Sequence, residues 1–125
     1  MNPETAVKNL SLLRTVVGAA AWLTPNLAGK AFMLDVDGNP QAPYLARLFG
    51  IRDVVLGAAT PQLSGQARRK LLVAGLACDA ADTAAALLGA RAGYFSKLTG
   101  ALLAAPAIAA VGMGLVALQD EGGPE

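Results

Sequence analysis

The sequence predicts an all-α fold, a four-helix transmembrane bundle with both termini cytoplasmic. Three observations predict it. Charged residues make up only 15% of the chain and apolar residues 54%, with a mean hydropathy of +0.47; a soluble domain carries about a quarter charged residues. The apolar share comes mostly from Ala and Leu, β-branched residues are sparse and period-two alternation is absent, so strands are not expected. Breaks rich in Pro and Gly divide the chain into segments of the length that a membrane span needs, roughly 20 residues. A chain of 125 residues makes one domain, residues 1–125.

The first helix is expected from Thr5 to Thr24, stopped by Pro25 with Asn26 and Gly29 beyond it. Its span, from Val7 to Leu23, is interrupted by Lys8 and Arg14. The linker that follows holds Asp37-Gly38-Asn39-Pro40, a strong turn signal, and room for a short interfacial turn around Ala31 to Leu34. Asp35 to Asn39 also glances at a calcium loop. The sixth and twelfth positions are Pro40 and Ala46 where Gly and Glu are needed, so it is a turn. The second helix is expected from Pro43 to Thr60, closed by Pro61; with Arg47, Arg52 and Asp53 it is the least membrane-like. The third runs from Gln66 to Ala90 and carries Asp79 and Asp82. The fourth runs from Phe95 to Leu118 and has no charge from Leu98 onward. Pro106 lies inside it, which a membrane helix tolerates because neighbours can satisfy the freed carbonyl. The tail from Gln119 to Glu125 is acidic and contains Gly and Pro.

A soluble bundle would show an apolar stripe and a charged face on each helix. The fourth helix has no polar face, and a chain this short cannot bury a helix all round. The expected location is therefore the cell membrane, with several passes and lipid as the immediate neighbour. Basic residues orient the bundle by a small margin: Lys8, Arg68, Arg69 and Lys70 on one side, Lys30, Arg91 and Lys97 on the other, which places both termini inside. The N-terminus does not read as a cleaved leader, because Arg14 splits the segment that would be its apolar core.

Several chemistries are excluded. With no histidine there is no Ser-His-Asp or Cys-His catalysis and no His-ligated zinc or haem. One cysteine, Cys78, allows no internal disulfide and reads as a small buried hydrophobe. No glycine-rich phosphate loop is present, and no cofactor is expected. Ten basic against nine acidic residues, with no basic face, give no nucleic-acid footprint. Trp22, Tyr44 and Tyr94 fall near helix ends, as interfacial aromatics do.

Beyond Lys8 at the entry of the first helix, six ionisable residues fall inside predicted spans: Arg14, Arg47, Arg52, Asp53, Asp79 and Asp82. A charge at mid-bilayer costs at least about 2.5–3.5 kcal/mol. Three basic and three acidic groups can neutralise one another, so they are expected to face the bundle interior. Asp79 and Asp82 share a face with Gly75 and Ala86; Asp53 shares one with Ala46, Gly50 and Gly57. These small faces predict direct packing of the second helix on the third. Asp79, Asp82, Asp53 and Arg52 are the candidate catalytic set, and Arg14 and Arg47 the candidate substrate-binding groups. Adjacent aspartates do not ionise independently, a protonated Asp is a general acid, and an Arg stabilises developing negative charge. A metal on Asp53, Asp79 and Asp82 is disfavoured, since the arginines already supply positive charge.

The run from Tyr44 to Gly57, with Gly50-Ile51-Arg52-Asp53 at its centre, resembles the signature of a family of small actinobacterial integral membrane proteins of unknown function. In that family a Gly-x-Arg-Asp motif on the second helix precedes an Ala-Asp-x-x-Asp pattern on the third; here the latter is Cys78-Asp79-Ala80-Ala81-Asp82, with Cys in the Ala position. Arg14, Gly18, Leu23 and Pro25 fit its first helix. The resemblance implies four membrane helices and joint action of Arg52, Asp53, Asp79 and Asp82, and it implies no activity. Two functions are carried forward; a third, a proton- or ion-coupled carrier, is disfavoured unless the chain oligomerises, because transporters build their site between repeats and no internal repeat is visible. One is binding, with or without acid–base transformation, of a lipophilic small molecule at the intramembrane Arg/Asp site. The other is a non-catalytic accessory subunit of a larger membrane complex, docked through the small residues of the fourth helix, such as Gly112 and Gly114. A homo-oligomer is compatible with both, and whether the chain is an enzyme stays open.

Overall fold

The computed structural model describes residues 1–121. Among them the chain is all-helical, without strands, in five helices: α1 (Pro3–Leu23), α2 (Pro25–Ala31), α3 (Ala42–Ala59), α4 (Gly65–Ala92) and α5 (Lys97–Glu121). A 3-10 turn, Thr60–Gln62, follows α3. The tail beyond residue 121 lies outside the described residues.

The sequence reading of four helices missed α2. Pro25 is a stop signal, and it does end α1 by pushing Thr24 out of helical geometry (φ −133°, ψ 63°). A proline is equally suited to the first position of a helix, where its missing N–H is not needed, and Pro25 also opens α2. The other boundaries fall within a few residues of expectation, and their caps explain them. Asn2 accepts from Thr5 N–H at 2.8 Å, with Pro3 in the first turn of α1. Ser96 Oγ accepts from Thr99 N–H at 3.0 Å at the start of α5. α4 ends on Gly93 at φ +81°, where Tyr94 N–H reaches back to Gly89 O at 3.0 Å. The same closure ends α2 with Met33 at φ +62°, an unusual place for a side chain with a Cβ. In the linker, Asp35 accepts from Gly38 N–H at 2.9 Å, so this segment is the expected turn.

α1 is the central helix. It packs antiparallel on α3 and also on α5, and α4 packs antiparallel on α5. Direct packing of the second predicted helix on the third is not what forms. The small face of α3 closes on α1 instead: a Cβ on Gly50 would lie 2.6 Å from Gly18 O, one on Gly18 2.5 Å from Gly50 O, and one on Gly57 2.9 Å from Ser11 O. Ser11 Oγ also donates to Gly57 O. Small residues let two backbones meet, and α1 offers the matching small face in Ser11, Thr15 and Gly18. Gly75 of α4 likewise faces α1, where the Arg14 guanidinium covers it.

One end of the bundle is filled by Ala6, Val7, Leu10, Leu72, Ala110 and Ala117, with Leu13, Met113 and Val116 around them. The outer surface is apolar on every long helix: Leu12 and Val16 of α1, Leu48 and Val55 of α3, Leu87 and Leu88 of α4, and Ile108 and Leu115 of α5 are all exposed. Two helices, α4 and the Lys97–Gln119 stretch of α5, are long and apolar enough to cross a membrane, with mean hydropathies of 1.7 and 2.2 over their most apolar windows. α1 and α3, which carry most of the inward charges, fall outside that class.

Candidate functional site

The inward charges meet at mid-height, immediately past the packed end. Arg14 follows Leu10 by one turn on α1, and it is 2% exposed. Its Nη2 donates to Asp79 Oδ2, forming a fully buried ion pair between α1 and α4. The guanidinium lies against Gly75; a Cβ there would come within 2.6 Å of Nη2 and 2.9 Å of Cζ. Gly75 is therefore the space that lets an arginine sit between two helices. Arg14 Nε and Nη1 are buried and make no hydrogen bond with the described residues. Asp79 is one turn from Thr83, whose hydroxyl donates to Asp79 O at 2.9 Å.

A second ion pair joins α3 to α4. Arg52 grips Asp82 with two N–H groups, Nη2 to Oδ2 at 2.5 Å and Nη1 to Oδ1 at 3.3 Å. Such a fork fixes direction as well as charge. The guanidinium also stands 4.9 Å from the centre of the Phe49 ring, one turn earlier on α3. Its Nη2 approaches Asp53 Oδ1 at 3.5 Å, the outer limit of a hydrogen bond. Asp53 is 7% exposed.

Five of the six sequence-selected residues thus form one layer: Arg14, Arg52, Asp53, Asp79 and Asp82. Arg47 stands apart. It is exposed, and its Nε donates at 3.1 Å to Trp22 O, one of the carbonyls left open at the end of α1. Asp53, Asp79 and Asp82 do not group as a metal-ligand set among the described residues.

Above this layer the helices border a half-open cleft. A cavity of about 1120 Å³ lies between α1, α3, α4 and α5, under the α2 segment and its linker. Arg14, Asp53, Asp79 and Asp82 are in its wall, and the rest of the wall is largely apolar: Val17 and Ala21 of α1, Phe49 of α3, Ala86 of α4, Leu103 and Ala107 of α5. Phe95 and Thr99 line it near the α4–α5 connection. Phe95 is locked there, because its ring fills the space over Gly89 (a Cβ would lie 2.4 Å from Cζ). Thr99 Oγ1 donates to Met33 O at 3.1 Å, tying the linker down onto α5. Pro106, which cannot donate to the helix turn before it, also lines the cavity.

The sequence reading selected the charged wall but not Phe49, Phe95, Thr99 or Asp35, which belong to it. Ser96 three residues before Thr99 is a capping signal that could have located the cavity end of α5; no local pattern reports that the linker folds back over the bundle. Comparisons with protein families, with characterised proteins and with solved structures return no match.

Proposed function

We propose that the chain is a small multi-pass membrane protein that binds a lipophilic small molecule at its buried Arg/Asp layer. The cavity is the observation that carries this reading: about 1120 Å³, mostly apolar in its lining, with four ionisable groups converging on one end. Small-molecule sites have this make-up, an apolar hollow with a few placed polar groups. The membrane part is supported by an inverted distribution of residues. Arg14, Asp53 and Asp79 are buried, while large aliphatic side chains on all four long helices are exposed. Water disfavours that arrangement and hydrocarbon favours it. α1 and α3 span in this reading because their charges are turned to the interior and to one another. Membership of the actinobacterial family belongs to the same proposal. Acid–base transformation of the ligand would use Asp53, Asp79 and Asp82 as proton carriers, with the guanidinium groups beside them.

The test is fractionation followed by native mass spectrometry of the protein extracted from its own host in mild detergent. The protein should resist release by carbonate, and a stoichiometric lipophilic molecule should be retained by the wild type and lost from Asp79→Asn. Recovery in the soluble fraction contradicts the membrane reading; a ligand-free wild type contradicts the binding reading.

One observation favours the accessory-subunit alternative. Gly112 is exposed on α5 with open space before it, and Ala105, Ile108 and Ala109 continue that surface at helical spacing. Gly114, which the sequence groups with Gly112, faces Leu76 of α4 instead. Gly112→Leu should release a partner subunit without changing the fold. A single mass on native spectrometry, unaffected by that substitution, removes this alternative.

A further inference from the structure

The ionisable groups in the cavity wall are unequal in number. Asp35, Asp53, Asp79 and Asp82 face a single cation, Arg14. Arg14 spends its charge and its Nη2 on Asp79, with Nε and Nη1 left open. Asp82 is held by the fork of Arg52 from behind the wall. Asp35, near the exposed linker, accepts from a backbone N–H. That leaves Asp53, nine-tenths buried, with one 3.5 Å approach to an arginine whose charge is committed to Asp82. A buried carboxylate without its own cation is costly, and a cationic ligand would relieve that cost. The same wall holds the aromatic residues Phe32, Phe49, Tyr94 and Phe95, whose rings attract cations.

We infer that the cavity takes a lipophilic cation, an apolar body bearing a protonated amine or quaternary ammonium, with its charge beside Asp53. The inference rests on the ligand-binding reading and narrows it. A carboxylate ligand would find the open Nε and Nη1 of Arg14, but it would meet four carboxylates against that one guanidinium. A neutral ligand would leave Asp53 as it stands. A phospholipid amine would bring its own phosphate towards the same acids, so the favoured source is a simple amine.

The test is native mass spectrometry of the full-length protein in detergent, with dodecylamine, dodecanol and dodecanoic acid competing at equal concentration and lyso-phosphatidylethanolamine in a parallel arm. Dodecylamine should be retained about tenfold better than the alcohol, the scale of one charge-assisted hydrogen bond, and better still than the acid. In Asp53→Asn the preference for amine over alcohol should largely vanish while the alcohol is still retained. Should Asp53→Asn fail to fold, the wild-type ranking alone decides. Stronger retention of the lyso-lipid than of dodecylamine supports the cation and assigns it to a lipid headgroup. Equal retention of the three probes, or preference for the acid, overturns this inference and leaves the cavity reading intact. Retention of none overturns both.

Discussion

The two ends of this bundle are built by the same helices and differ in kind. At one end the first turns of α1 and α4 and the last turns of α5 close on Ala6, Val7, Leu10, Leu72, Ala110 and Ala117, with no hydrogen-bonding side chain among them. At the other end the helices stand around a cavity of about 1120 Å³, roofed by α2 and the linker. Between them runs the layer of Arg14, Arg52, Asp53, Asp79 and Asp82. The difference teaches what the charges do for the fold. Side chains as long as arginine cannot be accommodated where Ala and Leu set the helix spacing. Beyond Arg14, α4 is therefore joined to α1 and α3 by ion pairs across a gap, while α1 stays close-packed on α3 through Gly18 and Gly50 and α5 on α4 through Gly100. The packed end supplies rigidity, and the hollow end supplies space.

The largest expected effect lies at the boundary. Removing one member of the Arg14–Asp79 pair, as in Arg14→Ala or Asp79→Ala, should cost about 3–5 kcal/mol, because the other charge is left buried and alone. Arg14→Met combined with Asp79→Leu should recover most of that loss. Thermal unfolding of the single and double variants in detergent checks both. A pair of single variants that unfold like the wild type would break the account of the boundary.

Truncations sharpen the contrast between the ends. Leu72→Ala at the packed end should cost about 2–5 kcal/mol, while Leu103→Ala, which already borders the cavity, should cost well under half as much. Chemical denaturation of the two variants side by side gives the comparison directly. Equal losses would mean that the hollow end is packed as tightly as the other.

The close approach of α1 and α3 comes next. Gly18→Val drives a side chain into the Gly50 carbonyl and should cost about 1–3 kcal/mol, whereas Gly112→Val meets open space and should change the melting temperature little. The smallest effect is expected at Arg47. Arg47→Ala removes one exposed hydrogen bond to Trp22 O and should cost about 0.5 kcal/mol or less, with ligand retention unchanged. A large loss of ligand in Arg47→Ala would return that residue to the site.

Much of this was legible in the sequence, and the limits have physical causes. The long helices are bounded by Pro, Gly and capping residues whose geometry acts locally, so their positions could be read. The five inward charges could be read because hydrocarbon-like segments rarely carry any, and the same rule wrongly drew in Arg47, which is exposed. Their pairing could not. Gly50, Gly57 and Gly75 announce close approach without naming a partner, and α1 answered where α4 was expected, through Ser11, Thr15, Gly18 and the reach of Arg14. α2 was missed because seven residues show no periodicity and Pro25 both ends one helix and begins the next. The cavity was invisible for a further reason. It depends on residues distant in sequence, such as Met33 and Thr99, that meet only once the linker folds over.

The central claim is that the hollow end exists to hold a lipophilic molecule. It is tested most directly by filling the cavity and leaving the charges alone. Leu103→Trp adds bulk to the cavity wall away from the ion pairs. Native mass spectrometry of this variant and the wild type, both extracted from the native host, should show a stoichiometric lipophilic mass on the wild type and none on Leu103→Trp, with similar melting temperatures. Equal occupancy of the two proteins, or none on either, would contradict it.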